Sequence, residues 1–241
     1  MNILIVIISI LMPTLFTTGA YLLVGMKVQG IPSILLFFIM MLIILVPMEW
    51  YMVIRAGKKQ FGNVGLKAAL YNQVYGGLYK VILWAFILFG WAGIMSVTIA
   101  PLENKLFAPV NEYISSKLPT YFDWSNLALL KQYSSGVLYT TLIAYFICNV
   151  FIGPITEEFF FRGYLTNKLE KLGIWAPILV SILFSLYHFW LPTNNLFRIL
   201  TFGPVAVIAW KKKDIRISIY FHCLCNLFST VSYIISVLAI T

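Results

Sequence analysis

The chemistry available to this 241-residue chain rests on few side chains, because it has only two histidines and eight acidic residues. Both histidines, His188 and His222, lie in strongly apolar stretches. Glu157, Glu158 and Arg162 interrupt another such stretch, and Asn226 follows His222 by four residues. An ionisable group inside a bilayer costs at least about 2.5–3.5 kcal/mol, so each of these is a functional candidate. Helical spacing sorts them. Glu158 and Arg162 are four apart, share a face and can pair. Glu157 is rotated from Glu158 by about 100° and is left free of that partner. His222 and Asn226 point at one spot, and Phe184 at the same spacing sets a ring beside His188. Three helices thus each offer one polar face, and a bundle can bring such faces together. Taken singly, each has a structural reading as interhelical glue. Glu49, beside Trp50 and Tyr51, reads as an interface residue. The joint pattern reads as a hydrolytic toolkit.

Exclusions narrow the chemistry. The two aspartates, Asp123 and Asp214, both fall in loops, which rules out an intramembrane protease with two aspartates in its spans. No Gly-x-Ser-x-Gly elbow occurs, and neither histidine begins an HExxH helix. What remains is water activated by carboxylate and imidazole, with or without a metal. A carboxylate held by arginine is a poor base, which favours Glu157 over Glu158 for proton abstraction. Fixed His and Asn donors in a low-dielectric cavity stabilise an oxyanion by about 2.7–4 kcal/mol each. Glu157, His188 and His222 can also supply three zinc ligands and leave one position open, and their spacing does not decide the point. The alternative from another class is a non-catalytic membrane protein. It would be a proton-coupled transporter relaying through Glu157, His188 and His222, or a silent immunity scaffold. Inverted repeats would favour the transporter, and the sequence has none.

The elements that must carry these groups follow from composition. Apolar residues make up 61% of the chain and charged ones 10%, with mean hydropathy +0.91. Soluble domains average about 45–50% apolar and about 25% charged. A soluble globular protein, a disordered chain and a disulfide-stapled domain are therefore excluded. Cys148, Cys223 and Cys225 are odd in number and sit in apolar segments, as small packing residues. A helical span needs roughly 20 apolar residues. Such stretches fall near 3–24, 31–54, 79–101, 137–155, 174–191, 196–210 and 217–240. The expectation is an all-α polytopic bundle of about seven transmembrane helices, within a range of six to eight. It forms a single integral membrane domain, with N-terminal spans and an external loop over 1–135 and the motif-bearing core over 136–241. The first stretch lacks a basic residue before it, so it reads as a retained span.

The net charge of +9 reads as a topology marker and not as a nucleic-acid signal. Arg55, Lys58, Lys59, Lys67, Lys80, Lys168, Lys171, Lys211, Lys212, Lys213 and Arg216 fall in alternate loops. Lys27, Lys105, Lys117, Lys131 and Arg198 are the five in the others. The positive-inside rule then puts the N-terminus in the cytosol and the C-terminus outside. It makes 102–135 an external loop and lays 55–78 along the inner leaflet. At 1.5 Å per residue, Glu157 lies about 16 Å from Lys168, His222 about 9 Å from Arg216 and His188 about 21 Å from Ile174. Convergence requires the fifth span to tilt or to begin inside the membrane.

At this point the residues resemble a known family. Thr156-Glu-Glu-Phe-Phe-Phe-Arg-Gly163 matches the EExxxR motif of the CPBP family, the CAAX proteases and bacteriocin-processing enzymes also called Abi. Phe184-Ser-Leu-Tyr-His188 matches its FxxxH motif and His222-Cys-Leu-Cys-Asn226 its HxxxN motif. The resemblance spans roughly residues 140–230. It implies an intramembrane endopeptidase, glutamate-dependent or metal-dependent. Glu157 and His188 would activate water, and His222 and Asn226 would stabilise the oxyanion. Glu158 and Arg162 would shape the site. Zinc is the cofactor it would admit. The implied substrate is a membrane-associated or lipidated peptide, in bacteriocin or pheromone maturation, self-immunity or CAAX-type processing. The implied setting is the bacterial plasma membrane. The depths reckoned from the basic residues lead to the expectation of a cavity open to the cytosol.

Overall fold

A computed structural model describes residues 3–240, in which there is no strand. Seven main helices carry the chain: α1 (Ile3–Gly25), α2 (Ser33–Phe61), α3 (Leu78–Lys117), α4 (Ser135–Lys168), α5 (Trp175–Leu186), α6 (Asn195–Lys212) and α7 (Arg216–Leu238). Among the described residues, five are long and apolar enough to cross a membrane, namely α1, α2, α3, α4 and α7. The chain is an all-α polytopic integral membrane protein.

The two remaining helices correct the expected spans. The stretch expected over 174–191 is helical only from Trp175 to Leu186, about 18 Å. It ends before His188, where the chain turns through 187–191 and doubles back as α6. α6 includes Arg198, Lys211 and Lys212 and so falls short of an apolar span. The depth conflict at His188 disappears, because α5 stops near the depth reckoned for Glu157.

The proposed loops also change. α3 does not stop near residue 101. It runs on to Lys117 through Pro101 and Pro109, so half of the expected external loop is helix about 60 Å from its start. Part of the segment expected along the inner leaflet packs against α4. α2 extends to Phe61, and a one-turn helix, Lys67–Leu70, buries Ala69 completely.

Gly153-Pro154 does not break α4. The helix widens into a π turn at Cys148–Ile152, with the Gly153 N–H donating to the Cys148 carbonyl. α2 does the same at Met41–Leu45, just before Pro47. Proline lacks an N–H and crowds the carbonyl four residues back, and a wider turn relieves both. A third π stretch, Glu158–Leu165, carries the acidic motif and has no proline to explain it.

The basic segments gather on one side. Lys168 donates to Gln60 Oε1 at 3.0 Å, Asn72 to Glu170 Oε2 at 2.8 Å, and the Val74 N–H to the Lys213 carbonyl at 2.6 Å. At the opposite side Tyr121 donates to the Ile31 carbonyl and Tyr133 to that of Gln29. The alternation derived from the charges is thus mirrored in which loops touch.

Candidate active site

α4, the turn after α5, and α7 bring Glu157, His188 and His222 together. The His188 Nε2 lies 3.9 Å from Glu157 Oε1, and the His222 Nε2 lies 3.8 Å from Glu157 Oε2. Both imidazoles therefore turn their outer nitrogen to one carboxylate. Each is anchored from behind. His188 Nδ1 lies 2.8 Å from the Phe184 carbonyl. A carbonyl only accepts, so this nitrogen carries the proton and the neutral ring keeps a lone pair on Nε2. His222 Nδ1 lies 2.9 Å from Glu158 Oε1.

Glu158 and Arg162 sit behind the site. Arg162 Nη1 is 3.2 Å from Glu158 Oε1, and both side chains are closed to solvent. The pair lacks hydrogen-bond geometry: Arg162 Nε, Nη1 and Nη2 have no hydrogen-bond partner. The guanidinium is held instead by charge and by aromatic faces, 4.0 Å from the Phe184 ring centroid and 5.1 Å from that of Phe202. The Phe184 ring is shared. One face takes Arg162, while the His188 and His222 rings meet it edgewise at 4.8 Å and 5.9 Å.

Asn226 also reaches the site. Its amide donates one hydrogen bond to the Asn149 carbonyl at 2.8 Å, and its second N–H is left for another acceptor.

Glu157, His188, His222 and Asn226 line a cavity of about 670 Å³, within the range of ligand sites. Its lining falls consistently on one side of the site. On α4 it takes Tyr145 to Glu157, on α7 His222 to Ser229, and on α6 Asn194 to Phe202. Each set lies away from the basic end of its helix. The cavity therefore extends away from the basic face, whereas a cytosolic opening was expected.

Two side chains gain a place that spacing did not give them. Arg198, counted among loop charges, is buried in the first turn of α6 and lines the cavity. It donates to Ser185 Oγ and to the Leu191 carbonyl. Glu49, expected at the interface, is fully buried and accepts a 2.8 Å hydrogen bond from Tyr187. A glutamate buried mid-helix without an i±4 cation was the one available signal for it.

A metal centre was the open question. Among the described residues no group of three His, Cys, Asp or Glu side chains is arranged to hold an ion. Glu157 meets the two imidazoles as a carboxylate faced by an Nε2 at each of its oxygens, 3.9 Å and 3.8 Å away.

Fold and geometry together define a class: a polytopic helical membrane protein with a carboxylate and two imidazoles converging at an interior cavity. Residues 139–228 match the family model described as Rce1-like, type II CAAX prenyl endopeptidase. All three motifs fall within the match, which supports an intramembrane endopeptidase of CAAX-protease type. No curated protein and no solved structure matches the chain.

Proposed function

We propose that the chain hydrolyses a peptide bond in a membrane-associated peptide, by water activated at Glu157 and His188. One observation carries this reading: two imidazoles, each tethered through Nδ1, present Nε2 to the two oxygens of a single carboxylate that has no arginine partner. Water between Glu157 and His188 loses a proton to Glu157 as its oxygen attacks the carbonyl carbon. The carbonyl oxygen becomes an oxyanion, which the second N–H of Asn226 and a protonated Nε2 of His222 stabilise. Glu158 balances the imidazolium charge from Nδ1, and Arg162 balances Glu158. Collapse breaks the C–N bond, and Glu157 returns its proton to the leaving amine.

The substrate enters from the side away from the basic loops, which is the side the cavity lining favours. Under the positive-inside rule that is the external side, in place of the cytosolic opening expected from helix depth. The family match favours a CAAX-type or similarly membrane-anchored peptide over a soluble one. Maturation of a bacteriocin or pheromone is the corresponding role in a bacterial membrane.

The test is cleavage of membrane-anchored peptides by purified protein. Glu157→Gln, His188→Ala and His222→Ala are each expected to lose at least about 100-fold in kcat, the order of one removed oxyanion donor or base. Retained cleavage in all three would overturn the reading. A chelator is expected to leave the wild-type rate unchanged, and metal-dependent loss and recovery would overturn the metal-free mechanism.

A further inference from the structure

His188 is the one member of the site that lies outside a helix. α5 ends at Leu186, and residues 187–191 form an irregular turn. The Phe184 carbonyl holds the ring through Nδ1, but the backbone of the turn needs fixing as well. Two contacts that do so come from the N-terminal spans, which carry none of the three motifs.

Tyr187, the residue before His188, is completely buried and is gripped at two points. Its hydroxyl donates to Glu49 Oε1 of α2 at 2.8 Å, and its carbonyl accepts from Thr14 Oγ1 of α1 at 2.6 Å. Glu49 and Thr14 are themselves fully closed to solvent. The Tyr187 ring also meets the His188 ring edge-on at 5.1 Å and the Phe161 ring at 5.0 Å. Glu49 Oε2 is buried with no hydrogen-bond partner. The carboxylate is thus kept out of water for a single bond, made to the neighbour of His188.

We propose that Glu49 and Thr14 are positioning residues that act through Tyr187 to hold the His188 imidazole against Glu157. The first two spans then serve as a clamp on the histidine turn. This rests on the catalytic reading of His188 above, and the two can fail separately. A strong hydrogen bond to a phenol fixes its direction and not only its burial. Loss of the bond leaves the ring packed while the turn gains freedom, so the bound water loses its second partner without any change in the cavity wall. Near-attack geometry is sensitive to shifts of about 1 Å, which can cost about 100-fold in rate.

The experiment compares Tyr187→Phe, Glu49→Leu, Glu49→Gln and the Tyr187→Phe/Glu49→Leu pair in the cleavage assay, with His188→Ala as reference. Glutamine keeps an acceptor for the phenol. Tyr187→Phe and Glu49→Leu are expected to lower kcat by at least tenfold with KM within twofold of wild type. Glu49→Gln is expected to restore kcat to within about threefold, and the pair to be no worse than Tyr187→Phe alone. Protein labelled with ¹⁵N-histidine carries just two imidazoles. The His188 ring signals are expected to shift or broaden in Tyr187→Phe while those of His222 stay in place. Tyr187→Phe keeps the ring and guards against a folding failure in Glu49→Leu. Wild-type kcat in Tyr187→Phe, with His188→Ala inactive, would overturn the clamp and leave the catalytic reading intact. An equal loss in Glu49→Gln and Glu49→Leu would also overturn it, since the hydrogen bond would not be the operative contact. An active His188→Ala would instead remove His188 from the catalytic reading and with it the ground of the clamp.

Discussion

The two adjacent glutamates have opposite electrostatic fates. Glu157 faces two imidazoles and the cavity, while Glu158 faces Arg162 and the inner nitrogen of His222. One step along the chain turns the side chain by about 100°, enough to separate a reactive carboxylate from a structural one. Stability should divide in the same way. Glu158→Gln leaves a buried guanidinium whose nitrogens have no hydrogen-bond partner, and breaking a buried pair by removing one member costs about 3–5 kcal/mol. Thermal unfolding in detergent is expected to show a large loss for Glu158→Gln and a smaller one for the Glu158→Gln/Arg162→Met pair. The reverse order would show that Arg162 is not balanced by Glu158. These residues were legible beforehand because their partners are local: four apart on one helix, or three motif positions in order. Glu49 and Arg198 were not. The Glu49 partner lies 138 residues away, at Tyr187, and no local spacing encodes such a contact. Arg198 was taken for a loop charge because hydropathy placed it at a span boundary, where it in fact begins a buried helical turn.

At the scale of elements, close approach sets the register of the acidic helix. Gly163 lies where α4 crosses the short helix Lys67–Leu70, and a Cβ there would stand 2.7 Å from the Ala69 carbonyl and 2.9 Å from its Cβ. Backbone must move to admit it, and overpacking of this kind costs about 1–3 kcal/mol. Gly163→Ala is expected to lower both the unfolding temperature and cleavage. Gly136→Ala, at the start of the same helix with nothing within 4 Å, is expected to change stability by less than about 1 kcal/mol. Equal unfolding temperatures would show that the crossing is looser than the geometry requires. Periodicity located every main helix but misjudged four ends: α2, α3 and α4 run past the expected 54, 101 and 155, and α5 stops short of 191. Apolar residues continue past Leu186 into the turn, so hydropathy could not see the end of α5. α3 outlasts its apolar run because Glu103 accepts from the Leu196 and Phe197 N–H groups and Asn111 from Thr193. Those contacts to the start of α6 hold polar helix in place beyond the span, and they are tertiary. The π turns before Pro47 and Pro154 keep both helices continuous through a proline.

For the whole molecule, the charge arithmetic and the loop contacts agree on two faces, one basic and one not. A reporter enzyme active only outside the cell, fused after Thr241, is expected to be active, and activity only in the cytosol would invert the topology. A single cysteine at position 229, in a chain with Cys148, Cys223 and Cys225 replaced by alanine, tests the cavity mouth. A charged, membrane-impermeant maleimide is expected to label it from the side that carries the C-terminus. Labelling from the basic side alone would restore the cytosolic opening. The distribution of charge was legible in the sequence. The direction of the cavity was not, because it depends on which flank of each helix its neighbours leave unfilled.

The length of α3 bears on how such a protein is supplied. A helix of about 60 Å cannot be submerged in a hydrocarbon layer of about 30 Å. Set upright with Leu78 at the near edge of that layer, it would clear the far edge near Pro101, about 35 Å along. Glu103 and Asn111, whose partners are Leu196, Phe197 and Thr193, would then stand at or beyond that level. The proposed hydrolysis consumes one water molecule for every bond it breaks, and lipid delivers almost none. On that placement the overhanging helix is a mast rising out of the oil, and the rim it supports is where the proposed reaction would draw its water.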